Sequence, residues 1–173
     1  MKKLVALLSA LTLSLTLALF FGCGDGASAL TGTATVVLDR GEGNGENRYE
    51  EFTLDLGEAG LTSANHAIDV LDALETGGSF YYESSEGSYG VMLTEMGRMA
   101  DLSGVGAAEA VLKPGEREYI SVYTSNAEES NPDADSYGGT ITYEGINVYY
   151  AMLGVSSLSV FDGAVYYFFV DSY

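Results

Sequence analysis

The sequence predicts an α+β fold: a sheet folded over one main helix, behind an N-terminal signal helix. Two observations carry this. The stretch Ala64–Leu74 (ANHAIDVLDAL) is the one long segment with helical periodicity, and nearly everything else after the leader reads as short strands and turns. In the helix, Ile68, Leu71 and Leu74 form an apolar stripe that Ala64, Ala67 and Val70 widen, with Asp69 and Asp72 on the wet side. Ser63 or Asn65 is expected to accept from the first free amides, and Asp69 suits the positive end of the dipole. Gly77-Gly78 is the stop.

The elements follow in order. Lys2 and Lys3 precede an uncharged run of 18 residues, Leu4–Phe21, and then Gly22-Cys23. That is a signal h-region, long enough to span a bilayer as well, so its flank decides. A small residue before the only cysteine resembles the lipobox of bacterial lipoproteins, whose cysteine is lipidated and becomes the new N-terminus. Phe20 departs from the aliphatic residue usual in that motif. The competing readings are an uncleaved transmembrane anchor or a buried free thiol. Lipidation at Cys23 makes residues 1–22 a signal peptide, 23–32 a tether and 33–173 the folded domain, membrane-anchored and facing outside the cytoplasm.

Removing 22 of 173 residues leaves 151, the size of one domain with a real core. It also leaves 25 acidic against 5 basic residues, a formal charge of −20. Such a surface excludes nucleic acid and anionic membrane faces as charge-driven partners. One cysteine permits no intramolecular disulfide.

Within the domain, Thr33–Leu38 is β-branched and reads as a strand, and Tyr49–Leu56 alternates with Phe52, Leu54 and Leu56 on one side. The two flank the Gly-rich loop Arg40–Arg48 as a hairpin. That loop resembles a phosphate cradle only superficially: no helix follows, no Lys-Ser/Thr ends it, and Glu42 and Glu46 repel phosphate. Phe80-Tyr81-Tyr82 is a short strand or anchoring turn, followed by the Ser/Glu/Gly run Glu83–Gly90. Val91–Gly97 reads as a strand, Arg98–Gly106 as irregular and Ala107–Leu112 as one helical turn. Tyr119–Thr124 is a strand with Ile120 and Val122 on one face. Asn126–Gly139 is an acidic surface loop. Thr140–Tyr143 and Ile146–Tyr150 flank the two-residue turn Glu144-Gly145. Asp162-Gly163 turns into Ala164–Val170 (AVYYFFV), apolar on both faces and hence a central strand or one covered by a partner.

The order of hairpin, IDVLDAL helix, YISVYTS strand and closing GVSSLSVFDGAVYYF segment resembles the bacterial transcobalamin-like C-terminal domain family, found in surface lipoproteins. The resemblance covers about Thr33–Val170 and implies a β-grasp-like mixed sheet packed over one helix. In the animal relatives this domain closes over cobalamin against a separate helical barrel. No such barrel is read here, so at most half of such a site is expected.

Candidate chemistry is sparse. His66 is the only histidine, and nothing names a nucleophile for it or completes a zinc site. Paired carboxylates for hydrolysis are available in number, but sequence cannot place them together. Asn131, Asp133 and Asp135 alternate like the oxygen ligands of a calcium loop, without the glycine or the bidentate Glu. The 13 Tyr and 7 Phe are the stronger feature. Adjacent strand residues face opposite ways, so Tyr149-Tyr150 and Tyr166-Tyr167 each put at most one ring in the core. Tyr137, Tyr149 and Tyr166 are the candidate ligand contacts. The expected function is non-catalytic binding of a corrinoid-like small molecule or a glycan. The alternative is a structural or protein-interaction module at the cell surface, and a carboxylate-pair hydrolase is a third reading. Cobalamin and calcium are the cofactors to test.

A Cys23→Ser chain is expected to take no lipid label and to leave the detergent phase on phase separation. Retention in that phase would instead identify Leu4–Phe21 as a transmembrane anchor.

Overall fold

The computed structural model describes residues 26–87, 90–99, 108–133 and 138–173. Cys23 and residues 1–22, the expected signal peptide, lie outside them, as do Asp135 and Tyr137. Among the described residues no helix is long and apolar enough to cross a membrane.

The fold is α+β with a mixed sheet. Strand β1 (Thr33–Asp39) pairs antiparallel with β2 (Tyr49–Asp55) and parallel with β9 (Ala164–Ser172). Beyond β9 come β6 (Glu118–Thr124), β8 (Ile146–Tyr150) and β7 (Thr140–Tyr143), giving the order β2-β1-β9-β6-β8-β7. A second sheet joins β3 (Phe80–Gly87), β4 (Gly90–Met99) and β5 (Ala108–Leu112). The helix α1 (Ala67–Thr76) lies between β2 and β3 in the chain.

Both faces of the large sheet are covered. On one side Ala34, Val36, Leu38, Tyr166 and Phe168 pack with Val70, Leu71 and Leu74 of α1 and with Phe80, Met96 and Leu112 of the small sheet. On the other, Val37, Val165 and Tyr167 pack with Tyr123, Tyr143 and Val148. The Tyr143 ring sits 5.1 Å from that of Tyr49 and 5.8 Å from that of Tyr167, so the β7–β8 hairpin leans back across β9, β1 and β2. This second core corrects the one-ring rule for Tyr166-Tyr167: both are fully buried, because the strand is covered on both faces.

Three local readings change. The helix starts at Ala67, three residues later than its apolar pattern, and neither Ser63 nor Asn65 caps it. The amides of Ala67 and Ile68 donate instead to the carbonyls of Leu158 and Val155, and Asp69 accepts from the His66 amide at 2.7 Å. A distant loop therefore satisfies the helix end that a local side chain was expected to satisfy. The strand expected at Phe80–Tyr82 runs on through Gly87: Glu83–Gly87 is exposed on both faces, so no apolar alternation marks it. Ala108–Leu112 is also strand, not a helical turn. Its alanines favour helix, but pairing with β4 and the Arg98–Glu109 ion pair at 2.7 Å override that weak preference. At Gly97, opposite Ala110, a Cβ would collide with the Glu109 carbonyl and the Tyr81 ring, so this position admits only glycine.

Other expectations hold. Glu144 and Gly145 both take positive φ (47° and 82°), the geometry of a tight two-residue hairpin turn. Gly78 leaves the helix at φ 78°. The stretch before β1 is docked from Ser28 onward rather than free: the Ser28 carbonyl accepts from Ser63 and the Leu30 amide donates to Leu61. The Gly32 amide then donates to Asp162 beside the start of β9.

Phe168 is fully buried in the helix-side core. Phe168→Ala is expected to cost about 3–5 kcal/mol in urea denaturation, as a large cavity at a strand that cannot collapse onto a neighbour.

Candidate functional site

Strands β1 and β9 run parallel, so both end at the same edge of the sheet, and a cavity of about 420 Å³ lies there. Phe169 and Val170 both line it although they face opposite sides of the sheet, as do Val111 and Leu112 on β5. The cavity therefore lies across the end of the sheet. This is the position where parallel strands commonly present ligands, outside their carboxyl ends.

Its polar wall comes from the β1–β2 connection. Asp39 closes β1 and is 6% exposed, the one charged residue among the buried described residues. A carboxylate so placed needs several donors. Arg48 supplies two, Nε to Oδ1 at 2.9 Å and Nη2 to Oδ2 at 2.7 Å. The Gly41 amide adds a third at 2.7 Å, and the Tyr167 hydroxyl donates to Oδ2 from within the second core. Burial pushes the Asp39 pKa up, but the bonds from Arg48, Tyr167 and Gly41, with the Arg48 charge, outweigh it and hold the carboxyl below its ordinary value of 3.8. The same guanidinium lies 5.0 Å from the Tyr49 ring centroid.

Arg40 and Lys113 complete the wall. Arg40 Nη2 donates to Glu50 at 2.6 Å, while its buried Nε has no partner. Lys113 pairs with Glu95 at 2.5 Å, and Glu95 also accepts from the Tyr81 hydroxyl at 2.7 Å. Of the seven basic residues in the sequence, Lys2 and Lys3 precede the apolar run Leu4–Phe21 and three line this one cavity. Charge is thus distributed against the run of an acidic protein. A larger, shallower groove of about 600 Å³ beside α1 is the reverse case, with Asp55, Glu58 and Asp72 and no basic residue.

The residues singled out in the sequence lie elsewhere. Tyr166 is fully buried and its hydroxyl donates to the Ser159 carbonyl at 2.6 Å, so it is a core residue with no ligand-facing ring. Tyr149 is half-buried on β8, opposite Thr124 and Thr140. Asn131 spends its side-chain oxygen on the Asp133 amide at 2.9 Å, a local turn rather than a ligand position. No group of three or more His, Cys, Asp or Glu able to hold a metal occurs among the described residues. His66 is exposed at the start of α1. None of the cavity residues carries a sequence signal by itself. The available signal was the scarcity of basic residues combined with Arg40 and Arg48 bracketing one glycine loop.

No family model and no curated protein matches the sequence. Among solved structures, the chain is similar to the crystal structure of a "putative metal binding protein" from Ruminococcus gnavus ATCC 29149. That likeness has 13% identity and a TM-score of 0.45, over 82% of this chain and 98% of the other. At that level it assigns neither a function nor a metal site.

Asp39→Asn keeps the shape and removes the charge. The expected loss at neutral pH is about 2–3 kcal/mol, at or below the range for a fully buried pair because Arg48 is 30% exposed. A carboxyl with a lowered folded pKa adds stability above its unfolded value and loses it as pH falls through the folded one. The gap between wild type and variant in thermal melts should therefore be full above pH 3.8 and close below it.

Proposed function

We propose that this protein is a lipid-anchored extracytoplasmic module that binds a small molecule, without catalysis, in the cavity at the carboxyl ends of β1 and β9. The cavity carries this reading: it is concave, combines an apolar floor with a few fixed polar groups, and has the volume of a small-molecule site. Among the described residues its lining offers charge and hydrogen bonds but no Ser, Cys or His, and its one buried carboxylate is committed to Arg48 and Tyr167. Those features favour holding a ligand over transforming it.

Anchoring at Cys23 fits the same geometry. The chain enters at the amino end of β1, beside Ser63 and Asp162, and the cavity lies at the other end of a seven-residue strand. That separates tether and cavity by roughly 20 Å at about 3.3 Å per residue. An anchored domain would then present the cavity away from the bilayer.

The order β2-β1-β9-β6, with β1 parallel to β9 and the helix following β2, supports a β-grasp-like reading and with it the transcobalamin-like resemblance. A corrinoid would rest on the cavity mouth rather than enter 420 Å³. One observation favours the alternative of a protein-interaction module: Met92, Met152 and Leu153 are exposed on segments that meet where Gly154 approaches the Val91 carbonyl.

A thermal-shift screen against small organic molecules, corrinoids, glycans and calcium tests the reading. A true ligand at about 100 times its dissociation constant adds roughly 2.7 kcal/mol and raises the melting temperature by several degrees. Stabilisation by no small molecule, with a surface protein instead protecting Met92 and Met152 from oxidation, would transfer the function to that patch.

A further inference from the structure

Resting on the small-molecule reading above, we propose that the cavity selects an organic anion: a carboxylate carried on a short apolar body, met by Arg40 and Lys113 at the head and by Val111, Ile141 and Phe169 along the body. The chain as a whole repels anions, yet three of its seven cations line this one hollow, each held in place by a carboxylate that leaves some of its N–H donors free.

Each cation is paired with one carboxylate, and what the wall offers an anion is the N–H donors those pairs leave free. Asp39 already accepts from Arg48, Gly41 and Tyr167, so its charge is spent inside the wall. Glu42 is 92% exposed on the rim, where water screens it. Glu50 and Glu95 fix Arg40 and Lys113 from behind and are not among the lining residues. They therefore position the two cations rather than fill the hollow. Arg40 uses Nη2 on Glu50 and leaves Nε, a buried donor, without a partner. A guanidinium presents five N–H donors in one plane, and a carboxylate is the group that accepts two of them in parallel. Five of the eleven lining residues, Val111, Leu112, Ile141, Phe169 and Val170, are aliphatic or aromatic, so an anion with no apolar part, such as inorganic phosphate, would leave those contacts unused.

The test is a methyl-NMR titration of the complete protein in nanodiscs with three matched probes: 3-phenylpropionate, 3-phenylpropionamide and 3-phenylpropylamine. The Ile141, Val111 and Val170 methyls report on the cavity directly. The carboxylate is expected to shift these methyls and to bind at least tenfold tighter than the amide, with the amine weakest. Lys113 is 69% exposed, so Lys113→Met should fold normally. It should lower the carboxylate affinity severalfold and leave the amide unchanged. If amide or amine binds these methyls as well as the carboxylate, or if Lys113→Met changes nothing, the anion assignment is overturned while small-molecule binding stands. If no probe shifts the cavity methyls, both are overturned.

Discussion

One buried charge organises this protein. Asp39 sits at the end of the strand that joins the hairpin to the rest of the sheet, where water cannot solvate its carboxylate. An uncompensated charge there would cost several kcal/mol, so the surroundings must deliver donors. They come from three directions: Arg48 at the far end of the glycine loop, the Gly41 amide within it, and Tyr167 from the neighbouring strand. Meeting that demand fixes the path of the β1–β2 connection, turns Tyr167 into the second core and leaves Arg40 and Arg48 side by side on the cavity wall.

The second constraint is the double burial of β9. A strand that is apolar on both faces needs two covers, and the chain supplies different ones. The helix with the β3–β5 sheet covers one face, and the β7–β8 hairpin, carrying Tyr143 and Val148, covers the other. The cavity lies where the two covers meet at the carboxyl ends of β1 and β9, with Val111 and Leu112 from one cover and Ile141 from the other. Fold and site are therefore parts of one arrangement: the strands that need covering also frame the space left uncovered.

Much of this frame was legible in the sequence. The alternation of Tyr49–Leu56, the two-sided apolarity of Ala164–Val170, the helical stripe and the turn at Glu144-Gly145 are each local signals, and each took the form expected. What stayed hidden depended on contacts distant in sequence. The helix start is set by carbonyls of Val155 and Leu158, some ninety residues downstream. The strand at Ala108–Leu112 exists because β4 lies beside it, and Glu83–Gly87 gives no pattern because both its faces are wet. Of the tyrosines expected to face a ligand, Tyr166 is buried in the helix-side core, while Tyr123, Tyr143 and Tyr167 build the second core. The site escaped notice because its chemistry is divided among Asp39, Arg48, Lys113 and Tyr167, none of which stands out by itself.

The most direct measurement is the titration of the Asp39 carboxyl carbon by NMR, following the Arg48 Nε proton over the same range. The Asp39 resonance should stay that of a carboxylate as pH falls past 3.8, with the Arg48 proton protected until the two change together. An Asp39 that titrates at or above 3.8, with Arg48 exchanging freely throughout, would mean that burial outweighs the donors, and the arrangement built on this charge would not hold.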